Sequence, residues 1–249
     1  MQTITNNRFV SPATAGTMDW CRMGVMFAIL FGAGKSPMLK ILIAFVISVG
    51  GTLLFMGILN RLQAKSSIMI PLVGMMLGNV VSAITMYFAY QYDIVQNISS
   101  WLQGNFALVI KGNYEILYLG VPCMVIAYLY SSQFTLAGLG KGFATSLGLN
   151  HGMVVKIGLM LVALITSVTV VTIGSIPFVG LIVPNLVAMY RGDNVKGTLP
   201  DTALFGAFFV LLCDIIGRVV IYPYEVNVSI VVSIIGSILF LILLWKKKG

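Results

Sequence analysis

The stretch GSIPFVGLIVPNLVAMYRGDN, residues 174–194, places Pro177, Gly180 and Pro184 inside an otherwise apolar run. A proline removes a backbone donor and clashes with the preceding turn, at a cost of about 3 kcal/mol in a helix interior. Two readings follow. The segment is a kinked packing helix, or it is a broken helix whose freed backbone groups are covered by protein or by a water-filled cavity. The chain around it sets the terms.

Of the 249 residues, 59% are hydrophobic and only 9% are charged, and the mean hydropathy is +1.00. A water-soluble domain carries about 25% charged residues, so this chain cannot cover a water-facing surface. It reads as an all-α, polytopic membrane helix bundle. With about 20 residues to a span, eight apolar runs can be bracketed: 17–33, 38–59, 68–90, 114–130, 154–174, 178–190, 202–222 and 228–245. The sixth is short for a crossing. Between the third and fourth, DIVQNISSWLQGNFALVIKGN is amphipathic enough for a helix lying along the interface, anchored by Trp101. Cys21, Cys123 and Cys213 lie far apart within apolar runs and read as small core residues.

The net charge of +8 suggests nucleic acid until its distribution is followed. Basic residues sit singly in short links, and Lys246, Lys247 and Lys248 close the chain. With that end inside, ten lysines and arginines fall on inner links (Arg8, Arg61, Lys65, Lys141, Lys156, Arg191, Lys196 and the terminal three). Four fall on outer links: Lys35, Lys40, Lys111 and Arg218. Cytoplasmic loops collect positive charge, so both termini are expected on the cytoplasmic side of a plasma membrane.

Motifs for chemistry are missing. FGAGKS, residues 31–36, ends like a phosphate-binding loop, but that loop needs a glycine five residues before Gly34 and a preceding strand; Ile29 stands there, within a membrane run. His151 is the single histidine, and the acidic residues Asp19, Asp93, Glu115, Asp193, Asp201, Asp214 and Glu225 are scattered. No metal site, nucleophile–base pair or carboxylate pair is expected, which counts against an intramembrane enzyme. Ionisable residues within spans face a partner or a water-filled path. Asp214 and Arg218, four apart in CDIIGRVV, share one helix face, as do Asp19 and Arg22. The second pair reads as packing; for the first, packing and function both stand open. The link 135–156, TLAGLGKGFATSLGLNHGMVVK, is glycine-punctuated and long. It reads either as a solvated loop or as an ordered one with a short helix between Gly140 and Gly148.

These segments, taken in order, resemble the permease subunits of ABC importers for ferric siderophores, haem and cobalamin. The resemblance is carried by SIPFVGLIVPNLVAMYRGDN (175–194), LPDTALFGAFFVLLCDIIGR (199–218), YEVNVSIVVSIIGSILFLILL (224–244) and the cytoplasmic LGKGFATSLGLN (139–150). It covers essentially the whole chain as one transmembrane permease domain, 1–249. Asn185 stands where the family often has histidine, Asn227 where it often has proline, and Lys141 where an acidic residue is common. The variants lean towards ferric siderophore uptake over cobalamin or haem. The start, MQTITNNRFVSPATAGT, is similar to a segment inside the family's second of ten spans. The eight runs would then be spans three to ten, with two spans encoded upstream of Met1.

The resemblance implies further expectations. Two permeases, identical or not, form the membrane core. A cytoplasmic ATPase pair binds ATP, so this chain carries no cofactor and is not itself an enzyme. An extracytoplasmic binding protein delivers cargo. Gly140, Lys141, Ala144, Leu147 and Gly148 would couple to the ATPase. Pro177, Gly180, Ile182, Pro184 and Asn185 would border the translocation path. Arg218, with Glu225, would dock the binding protein. A proton-coupled secondary transporter is the nearer rival, but it wants buried carboxylates along a path, and only Asp214 qualifies.

Overall fold

The computed structural model describes the chain except residues 4–6, 9, 13–15, 33, 35, 62–68, 110, 113, 193 and 247–249. Lys35, Lys65, Asp193, Lys247 and Lys248 of the charge pattern lie outside the described residues. Each apolar run becomes helical. In order these are α1 (Thr17–Phe31), α2 (Pro37–Arg61), α3 (Met69–Gln91), α4 (Val95–Leu102), α5 (Gly120–Leu129), α6 (Ser131–Gly138), α7 (Lys141–Ser146), α8 (His151–Ile173), α9 (Val179–Arg191), α10 (Val195–Val219) and α11 (Val228–Lys246). Two short 3-10 helices, Phe106–Leu108 and Glu115–Leu119, lie between α4 and α5.

The apolar runs differ in the length of helix they form. Among the described residues, α2, α3, α8 and α10 are long and apolar enough to cross a bilayer. The α5–α6 pair makes a fifth if its 58° bend is counted within one span. Two others are cut short by their own breakers: α1 stops at Gly32 after 15 residues, and α9 keeps only 13 between Phe178 and Gly192.

The core lies where α1, α2, α4 and α8 meet, around Val25, Met26, Ala44, Ile98, Val168 and Val171. Without a hydrophobic driving force in lipid, helices associate through close packing and small polar groups. Here Cys21 Sγ lies 2.9 Å from Ser48 Oγ, which lies 2.7 Å from Ser167 Oγ, stitching α1, α2 and α8 at a fully buried point. The charged pair on α1 serves the same end. Arg22 donates to Ser82 Oγ at 3.3 Å, and the Asp19 carboxylate packs against Gly78, both on α3. The amphipathic segment turns its apolar side inward: α4 buries Ile98, and the Trp101 indole N–H donates to the Val171 carbonyl of α8 at 2.9 Å. Trp101 therefore ties α4 to the bundle.

Candidate functional site

The break between α8 and α9 is closed by a second break. Gly174 ends α8 at φ 96, a conformation that side chains rarely adopt, and a Cβ there would run into the Gln103 backbone. The segment after α4 therefore comes close enough to pair. Ser175 N donates to Leu102 O at 2.8 Å, Asn105 N to Ile173 O at 3.2 Å, and Ser229 N, at the start of α11, to Gly104 O at 3.3 Å. Each interrupted backbone satisfies the other, as membrane depth demands. Side-chain amides add a cross-link that sequence reading missed. Asn105 Nδ2 donates to Asn227 Oδ1 at 3.0 Å, and Asn227 Nδ2 to Gln103 Oε1 at 2.7 Å. The one hint in the sequence was amide Asn227 at a position where the resemblance has proline.

Within the opening stretch the breakers have different jobs. Pro177 precedes the helix, and Phe178 takes a left-handed φ of 65 as N-cap of α9. Pro184 lies inside α9 and has no N–H for the carbonyl four residues back, which is that of Gly180. Gln2 Nε2 donates to that carbonyl at 3.3 Å. Next along, Asn185 Nδ2 donates to Leu181 O at 2.7 Å and to Arg8 O at 2.9 Å. The N-terminal segment thus straps the weakened turn. Ile182 is fully buried, its side chain against Gly236 of α11. It is a packing residue in this conformation.

The link at 135–156 is ordered and holds α7, a six-residue helix. Gly140 at φ 106 and ψ 158 starts it, and Gly148 at φ 76 follows it, both in glycine-favoured conformations. Ala144 is fully buried, so it seats α7 on the bundle. Phe143 and Leu147, 54% and 58% exposed, stand free one turn apart. The outward face is therefore Lys141, Phe143 and Leu147, without Ala144.

At the other end of the long helices, α10 carries the charges. Arg218 Nε lies 2.9 Å from Asp214 Oδ2, and its Nη1 lies 3.4 Å from Glu225 Oε1. The link after α10 folds back through Val226 N to Gly217 O, at 3.0 Å, which brings Glu225 within reach. Tyr222 and Tyr224 project beside it, 85% and 76% exposed. Among the described residues no group of three or more His, Cys, Asp or Glu side chains is arranged to hold a metal ion.

A bundle of apolar helices with paired backbone breaks, and with charged groups at its helix ends, has the build of a multi-pass membrane protein. The chain matches the FecCD transport family over residues 1–246 and belongs to it. It is 54% identical over its whole length to the petrobactin import system permease protein YclN of Bacillus subtilis, covering 79% of that protein. It is 39% identical to the ferric-anguibactin transport system permease protein FatD of Vibrio anguillarum, with 99% of this chain and 78% of that one aligned. A solved inward-facing structure assigned to the metal-chelate type of ABC transporter superposes with a TM-score of 0.87 at 28% identity, covering 98% of this chain and 79% of the other.

Proposed function

We propose that this chain is the transmembrane permease subunit of an ATP-binding-cassette importer for ferric siderophores in the plasma membrane. The observation that carries this reading is the whole-chain similarity to two permeases named for ferric siderophore import, on a fold shared with a metal-chelate transporter. A second permease completes the membrane core, a cytoplasmic ATPase pair binds ATP, and a binding protein delivers the chelate outside. The C-terminus is cytoplasmic, which fits the basic inner links. This chain holds no cofactor and performs no hydrolysis.

Transport then works through two arrangements of the bundle whose balance shifts with nucleotide and with the loaded binding protein. α7, held between glycines, is the cytoplasmic contact for the ATPase. The residues around Pro177, Gly180, Pro184 and Asn185 form the hinge-bearing wall of the path. Arg218 and Glu225 form the docking point outside.

The test is uptake into proteoliposomes holding the permease pair and its ATPase, with binding protein and ferric siderophore outside. ATP inside without an ion gradient should drive uptake, and excess haem or cobalamin should not compete. Uptake driven by a proton gradient without ATP would overturn the reading.

A further inference from the structure

We propose that the cavity between the start of α2, the end of α4 and the last turn of α8 is a binding site for a carboxylate-bearing small molecule. The cavity measures about 230 Å³ and lies at the end of α8 opposite α7. At about 30 Å³ per water it has room for about seven waters, or for a small polycarboxylate. Lys40, Trp101, Gln103, Asn105 and Thr172 supply its polar groups, and among the described residues no acidic side chain lines it.

The direction of the amide chain at its edge decides what it can accept. The backbone N–H of Ala107 can only donate, and it donates to Asn105 Oδ1 at 2.9 Å. The NH2 of Asn105 must then face Asn227, whose Oδ1 accepts it at 3.0 Å. The NH2 of Asn227 in turn faces Gln103 Oε1 at 2.7 Å. Each side-chain carbonyl oxygen in the chain accepts one hydrogen bond, and the chain ends on the Gln103 NH2, which has no partner among the described residues. Successive bonds polarise one another, so this terminal NH2 is a strengthened donor.

The rest of the wall has the same bias. Val171 O is taken by the Trp101 indole and Ile173 O by Asn105 N. Lys40 contributes three donors and the only formal charge among the lining residues. A cavity whose free side-chain donors are an ammonium and an amide NH2 suits a single-charged, planar oxygen pair. A carboxylate is that group. Where the resemblance has proline at Asn227 the relay could not form, so the site belongs to chains with an amide there. As a resting place for a carboxylate arm of the imported chelate, the site rests on the importer reading; as a carboxylate site it does not.

Calorimetry of the whole chain in phosphatidylcholine nanodiscs, titrated with citrate as the probe, requires no transport and so separates the two readings. Saturable binding is expected. Lys40→Met and Gln103→Leu should each weaken it about tenfold, the scale of one lost charge-assisted hydrogen bond, and Lys40→Arg should retain it. Retention by Lys40→Arg, with unchanged helix content in Lys40→Met, excludes misfolding as the cause. No saturable heat, or heat indifferent to these substitutions, overturns the proposal. Citrate heat that disappears in phosphatidylglycerol discs also overturns it, because a lipid headgroup then owns the cavity.

Discussion

At Pro184 the helix loses one N–H, and the orphaned Gly180 carbonyl finds its donor in Gln2, far away along the chain. An intramolecular hydrogen bond is worth about 0.5–1.5 kcal/mol net, and an unsatisfied group costs about 1–3 kcal/mol. The double-mutant cycle separates this from ordinary packing. Gln2→Leu should destabilise the detergent-solubilised protein by about 1 kcal/mol. Pro184→Ala restores the N–H within α9 and should make Gln2 dispensable, so that Gln2→Leu costs little in that background. An equal loss in both backgrounds, measured by thermal unfolding, would show that Gln2 is not the stand-in for the missing bond. The prolines were legible in the sequence as breaks. Their satisfiers were not, because a glutamine at position 2 carries no local mark of a contact with residue 180.

The same division holds for elements. Apolar runs foretold the helices closely, since lipid leaves backbone groups no partner except their own chain; run 154–174 became His151–Ile173, for example. Length was less legible, because caps such as Gly32 and Phe178 end helices within apolar sequence. Pairing of breaks was not legible at all: Gln103 meets Ser175 and Asn227 through the fold, without periodicity to announce it. For α7 the glycines pointed to the helix, but its faces had to come from the structure. Phe143 and Leu147, one turn apart and exposed, are the apolar pair that the proposed ATPase contact would use. Phe143→Asp and Leu147→Asp together should abolish co-purification with the ATPase and leave membrane insertion and unfolding temperature unchanged. Ala144→Asp should instead lower the unfolding temperature, since it buries a charge beneath the helix. Intact co-purification of the Phe143 and Leu147 double variant would leave α7 an ordered link and nothing more.

At the scale of the whole molecule, the proposed docking of a binding protein turns on Arg218. It already holds Asp214 at 2.9 Å and Glu225 at 3.4 Å, with side chains 44%, 21% and 47% exposed in that order. Exposed pairs of this kind contribute about 0–1 kcal/mol, so the fold does not depend strongly on them. A glutamate arriving on a binding protein could take the place of Glu225, the longer and more exposed partner, while Asp214 keeps the guanidinium aimed outward. Across a contact that excludes water such a pair is worth about 2 kcal/mol or more. Arg218→Glu should therefore speed dissociation of the loaded binding protein about thirtyfold or more, the equivalent of that energy. A glutamate-to-arginine change on the partner should recover part of the loss. Asp214→Asn, which frees the guanidinium without removing it, should weaken docking far less. If Arg218→Glu instead lowers the unfolding temperature, and adding Asp214→Asn restores it with docking untouched, the arginine serves the helix alone. The loaded binding protein would then have to find its purchase elsewhere on that face, where Tyr222 and Tyr224 stand most exposed.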